Sequence, residues 1–100
     1  MHEGEKIILD TEALADALIQ LDGWELRAKE IIKTYTFDTY MDGIEFVNEV
    51  AKKAEEIGHH PDIFVHYKKI KVGLWTHKYN AITKADTEMA AIIDKLYLGA

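Results

Sequence analysis

The sequence predicts an α+β domain in which a four-stranded antiparallel sheet carries its helices on one face. Three observations lead there. Three segments repeat apolar residues at helical spacing and have capping residues at their ends. Two pairs of shorter segments alternate apolar with polar, each pair joined by a few polar residues. The resulting order is α-β-β-α-β-β-α, and two hairpins separated by helices imply antiparallel pairing with the helices gathered to one side.

Each element has its own warrant. Asp10 can cap a first helix in which Leu14, Ala17, Leu18 and Leu21 recur, and Asp22-Gly23 ends it. In "WELRA" the alternation puts Trp24, Leu26 and Ala28 on one face. In "IIKTYTF" it groups Ile31, Tyr35 and Phe37, with a charged hairpin turn at Lys29-Glu30 between the two strands. A long helix runs from Asp38 or Thr39 to about Ile57. Its inward stripe is read as Tyr40, Ile44, Val47, Ala51 and Ala54, which leaves Phe46, Val50 and Ile57 off it, and Gly58 follows as a C-terminal stop. Strands are expected at about 63–67 and 69–77. In the second, Ile70, Val72 and Leu74 lie under the helices, while Lys69, Lys71, Gly73, Trp75 and His77 share the open face. Thr83-Lys84-Ala85-Asp86 has the form of a capping box for a last helix, with Ala85, Met89, Ile92, Ile93 and Leu96 inward. Residues 1–100 read as one domain, with 1–9 as an N-terminal tail.

Composition narrows the function classes. With 100 residues, 48% hydrophobic and 30% charged, the chain is an ordinary soluble globular protein large enough for one core. A net charge of -6 argues against a broad nucleic-acid surface. No stretch approaches the ~20 apolar residues of a membrane span, and "MHEGEKIILD" has no signal-peptide pattern. The lack of cysteine removes disulfides, thiolate metal sites and cysteine nucleophiles, and fits a reducing cytoplasm. One Gln, two Asn and abundant charge match the composition of proteins from high-temperature sources.

The chemistry concentrates around "EEIGHHPDIF", residues 55–64. His59 and His60 stand side by side where a helix ends, and Pro61, the only proline, stiffens the exit and restricts how His60 projects. Adjacent imidazoles give no packing advantage. A rigid loop after a helix, however, can hold proton-transfer groups at fixed reach, and histidine exchanges protons near neutrality. His77 and Trp75 at the end of the last strand either line a pocket on the open face or are simply solvated there. Strand parity leaves both open.

"EEIGHHPDIFVHY" followed by "WTHKYNAITKAD" resembles the signature of the pterin-4a-carbinolamine dehydratase family. The matching positions are Glu55, His59, His60, Pro61, Tyr67, His77 and Asp86, the Gly23-Trp24 pair opens the first strand as in the family, and the resemblance covers roughly residues 10 to 98. It implies an enzyme that dehydrates 4a-hydroxytetrahydropterin to quinonoid dihydropterin and water, without metal or redox cofactor. It also implies His59, His60 and His77 as the active-site histidines, with His59 and His77 moving protons and His60 orienting the substrate. Trp75 and Asp86 are the expected substrate contacts, although Asp86 belongs equally to the capping box. Glu55 reads as solvating the last turn of its helix. Family members are dimers or tetramers, so a homo-oligomer is implied. Two departures bear on the substrate: "KYNAI" at 78–82 is bulkier than the family's glycine-containing stretch, and Ile63 stands where tryptophan is common.

Two other classes compete. His59, His60, His77 and Asp86 offer zinc ligands, but adjacent histidines diverge and are awkward for one ion. Animal members of the family also bind a homeodomain transcription factor, which implies a non-catalytic dimerisation module as the alternative. His66 and the lysines at 52, 53, 68, 69 and 71 read as solvated surface.

Overall fold

The computed structural model describes residues 3–99. It contains α1 (Thr11–Gln20), β1 (Glu25–Arg27), β2 (Glu30–Thr36), α2 (Tyr40–Ile57), β3 (Asp62–His66), β4 (Lys69–Leu74) and α3 (Lys84–Leu98), preceded by one 3-10 turn at Glu3–Lys6. The sheet has the order β1-β2-β4-β3 and is antiparallel throughout. This is the predicted α+β architecture.

Local chemistry sets the boundaries. The Asp10 carboxylate accepts the Ala13 N–H at 2.8 Å and the Thr39 hydroxyl accepts the Asp42 N–H at 3.0 Å, each satisfying a donor that its helix leaves unpaired. Gly58 ends α2 with φ of 78°, a left-handed conformation that costs an ordinary residue roughly 1–2 kcal/mol. That turn redirects the chain into His59 and His60. Both hairpins are tight, with Ala28 and Lys68 at positive φ.

The core lies between the helices and one face of the sheet. Ile31, Tyr35, Ile70, Val72 and Leu74 meet Phe46 and Val50 of α2 and Met89 and Ile93 of α3. Tyr35, Phe46 and Tyr97 form an aromatic cluster with centroids 4.8 to 5.8 Å apart. Beside it Asp94 of α3 accepts hydrogen bonds from Tyr35 (2.6 Å), Lys33 (2.8 Å) and the Trp24 indole (3.2 Å), tying α3 to the first hairpin. Burial, then Asp94, hold the Tyr35 hydroxyl far above the usual phenol range, so it serves only as a donor.

Four expectations need correction. The buried stripe of α2 is Gly43, Phe46, Val50 and Ala54; Tyr40 is 46% exposed and Ala51 faces solvent. A Cβ at position 43 would lie 3.4 Å from the Ile70 side chain, so the helix makes its close approach there and turns Phe46 into the aromatic cluster. Trp24 is buried but Leu26 is half exposed, because β1 is a three-residue edge strand at the margin of the helical cover. β4 stops at Leu74, and an isolated Thr76–Ala81 bridge then closes a four-residue loop that begins with His77. Finally, the expected N-terminal tail is docked over its described residues 3–9; positions 1 and 2 lie outside them. Lys84 N–H bonds to the Ile7 carbonyl (2.9 Å) and Leu9 N–H to the Ile82 carbonyl (3.0 Å). The entry to α3 has backbone groups to satisfy, and this segment supplies the partners.

Candidate active site

Four of the five expected site residues surround one cavity. His59, His60, Trp75 and His77 line a space of about 240 Å³, with Glu5, Gly58, Thr76 and Lys78 completing its wall. That volume lies below the roughly 300–1,000 Å³ typical of small-molecule sites, which suits a compact ring system. A larger cleft of about 930 Å³ opens between α2 and the end of α3. Phe37, Phe46 and Tyr97 wall it, and no histidine reaches it. The site histidines, which exchange protons near neutrality, line the smaller cavity.

His59 forms the floor. It is only 5% exposed, and both its ring nitrogens meet carboxylates: Nε2 lies 2.6 Å from Asp86 Oδ1, and Nδ1 lies 2.8 Å from Glu5 Oε2. Carboxylates accept, so an acceptor at each nitrogen favours the doubly protonated ring. The hydrogen bond to Asp86 raises its pKa above the ordinary histidine value; burial opposes this, and Glu5 adds to the rise. Neither nitrogen is left for a ligand.

Asp86 is fully buried beneath His59 and lines no part of the cavity. Its second oxygen accepts the Thr83 N–H and the Thr76 hydroxyl, both at 2.9 Å, while Thr83 Oγ1 pairs with Thr76 Oγ1 at 2.8 Å. The expected direct substrate contact is thus corrected: Asp86 reaches the site through His59. One oxygen caps the helix and the other holds His59.

His60 and His77 are the accessible histidines of the cavity. His60 is exposed and its Nε2 meets Glu55 Oε2 at 2.5 Å, at the surface, where such pairs are worth about 0–1 kcal/mol and exchange readily. The Glu55 side chain therefore has a partner in the connection that follows its helix. The His77 ring leans on Trp75, centroids 4.0 Å apart at 36°. Among the described residues no protein group bonds to its nitrogens. Also among them, no group of three or more His, Asp or Glu side chains is arranged to hold a metal ion.

Glu5 and Thr76 were not anticipated, and Thr83 was read only as part of the helix cap. Thr76 had a readable signal: it alternates with Trp75 and His77, so strand parity turns it inward, and a buried hydroxyl needs partners. Glu5 had none.

The His59 clamp has a pH signature. Its pKa is raised on folding, so its stabilisation is fully present below the unfolded value of about 6.5 and is lost as pH rises through the folded value. Thermal unfolding followed from pH 6 to pH 9 should show the melting temperature falling on the alkaline side. In His59→Gln that slope should flatten; an equal slope in both proteins would contradict the assignment.

The comparisons with known proteins identify the family. The family model for pterin 4 alpha carbinolamine dehydratase matches residues 8–96. A relative from Herpetosiphon aurantiacus, provisionally named as that enzyme, is 41% identical over 93 residues, covering 93% of this chain and 97% of its own. One from Sulfurisphaera tokodaii, named in the same provisional way, is 35% identical and spans 88% of this chain and 95% of its own. Among solved structures, a transcriptional coactivator/pterin dehydratase from Brucella melitensis superposes with a TM-score of 0.86 at 29% identity, covering 90% of this chain and 98% of that one. A pterin dehydratase-like RuBisCO assembly factor of the alpha-carboxysome shares the fold with a TM-score of 0.62 at 23% identity, over 74% of this chain and 86% of its own. With most of its length matched by the family model and by these relatives, the chain belongs to the pterin 4 alpha carbinolamine dehydratase family.

Proposed function

We propose that the protein is a hydro-lyase that converts a 4a-hydroxytetrahydropterin to quinonoid dihydropterin and water. The observation that carries this reading is two accessible histidines, His60 and His77, on one compact cavity with an aromatic wall at Trp75. The elimination needs a proton delivered to the departing C4a hydroxyl and one removed from the neighbouring ring nitrogen. The C–O bond breaks as that nitrogen's electron pair forms the new double bond, and one water leaves. Two imidazoles in opposite protonation states supply both transfers, each worth about 10²- to 10⁴-fold. His59, with both nitrogens bonded, does not trade protons with a ligand. Held between Glu5 and Asp86, its ring is a fixed part of the cavity floor against which the substrate lies. This moves the proton-transfer roles to His60 and His77.

The test is dehydration of 4a-hydroxytetrahydrobiopterin, generated in situ and followed spectroscopically. The protein should raise the rate clearly above buffer; folded protein that leaves the rate unchanged would overturn the reading.

The oligomeric expectation is part of the same proposal. β3 is an edge strand with an unpaired side, and Val65, Tyr67, Tyr40 and Met41 are exposed around it, with the Tyr40 and Tyr67 rings stacked at 6.4 Å. Such an edge is normally covered, and a second copy of this chain does so by extending the sheet. Light scattering at micromolar concentration should give a mass above the 11.5 kDa of one chain. A monomer would remove the proposal. No helix among the described residues is long and apolar enough to cross a membrane, and we place the activity in the cytoplasm.

A further inference from the structure

Among the described residues, Glu5 is the one cavity residue that comes from the N-terminal segment. It lies 54 positions from His59 in sequence, yet its carboxylate is 2.8 Å from His59 Nδ1, with side-chain exposures of 13% and 5%. Taking a carboxylate that far out of water is unfavourable unless a charged or hydrogen-bonding partner compensates. The docking of the segment does not depend on this bond. Backbone pairs hold it: Ile8 bridges Thr83, and Ile7 and Leu9 bond to Lys84 and Ile82. A segment already fastened along the start of α3 therefore delivers a negative charge to the face of His59 opposite Asp86.

We propose that Glu5 is a positioning residue of the site: from the docked N-terminal segment its carboxylate fixes the His59 ring across the cavity floor, which makes residues 4–9 part of the catalytic unit. The inference rests on the dehydratase reading for its kinetic consequence and on geometry alone for the clamp. Asp86 by itself fixes only one nitrogen, and an imidazole held at one end can pivot about that bond. Held at both ends, the ring is locked in orientation and in charge. The groups facing His59 are Glu5 from the N-terminal turn and Asp86 from α3; His60, His77 and Lys78 share the cavity wall, and Glu55 stands behind His60.

The experiment compares wild type, Glu5→Gln and Glu5→Ala as full-length protein. Gln keeps the size and an accepting oxygen but removes the charge; Ala removes both. Two readouts are taken: the His59 ring nitrogens by long-range ¹H–¹⁵N spectroscopy across pH, without substrate, and the pH profile of dehydration. The expected result is that Glu5→Ala shifts the His59 titration to lower pH and lowers kcat about tenfold with KM little changed, as for a misoriented catalytic group. Glu5→Gln falls between Ala and wild type in both readouts. A His59 titration that does not move overturns the proposal even if the melting temperature falls, since Glu5 would then be only a clasp. A titration that moves while kcat stays at the wild-type value at every pH also overturns it. If wild-type protein dehydrates no pterin, the reaction assignment fails, and the His59 titration alone decides whether Glu5 holds the ring.

Discussion

Asp86→Ala should cost about 3–5 kcal/mol of folding stability, the loss found when one partner of a buried ion pair is removed. Asp86 is fully buried and accepts three hydrogen bonds, from His59, Thr76 and the Thr83 backbone. Alanine leaves all three donors without this acceptor at a position that is fully buried. In a domain whose total stability is of order 5–15 kcal/mol, this puts a sizeable fraction at risk of unfolding. Urea unfolding of the variant gives the number directly, and a loss below about 1 kcal/mol would show that the network contributes little beyond ordinary hydrogen bonding.

Asp86→Asn separates the two tasks of the carboxylate. The amide oxygen can still accept from Thr83 N–H and Thr76, so the start of α3 stays capped. The amide nitrogen then faces His59 Nε2, where donor would meet donor unless the ring gives up a proton. The Asn variant should therefore lose clearly less stability than Ala while leaving His59 neutral, with Nδ1–H donating to Glu5.

Much of this arrangement was legible in the sequence because its signals are local. The caps at Asp10 and Thr39 and the stop at Gly58 depend on residues within one turn of chain, and the structure makes each of those bonds. The alternation in "KIKVGLWTH" places Ile70, Val72, Leu74 and Thr76 inward and Trp75 with His77 outward, even though the ladder itself ends at Leu74. The face of α2 was harder to read, because apolar residues surround much of that helix. Tyr40, Ile44 and Val47 fit a helical stripe as well as Gly43, Phe46 and Val50 do. What selects the second set is the close approach at Gly43 to Ile70, a contact between elements that no window of sequence contains. Asp94 and Glu5 were missed for a related reason. Glu5 sits in a polar stretch and Asp94 in an amphipathic helix, and each is distinguished only by partners about 50 or about 60 positions away. The histidines were found through their spaced pattern, but their roles depend on which nitrogens are already bonded, and only the fold reveals that.

That difference in bonding sets the second large effect. His77→Ala is expected to lower kcat by about 10²- to 10⁴-fold, the usual contribution of a proton-transfer group, with His60→Ala falling in the same range. KM should change little, because a proton in transit is bound more tightly in the transition state than in the ground state. Neither substitution should cost more than about 0.5 kcal/mol of stability, since both side chains are exposed and neither is part of the core. The loop carrying His77 is closed by the Thr76–Ala81 bridge and so holds its shape without the imidazole. His59→Ala should behave in the opposite way, because it strands two carboxylates that are already out of water and loses stability as well as rate. The three variants therefore separate groups that exchange protons with substrate from a ring that only shapes the cavity floor. Should His77→Ala keep full kcat while His59→Ala alone abolishes it in a folded protein, the assignment reverses. The clamped histidine would then have to release one of its carboxylates during turnover, and Glu5, at the exposed end of the clamp, is the one it would release.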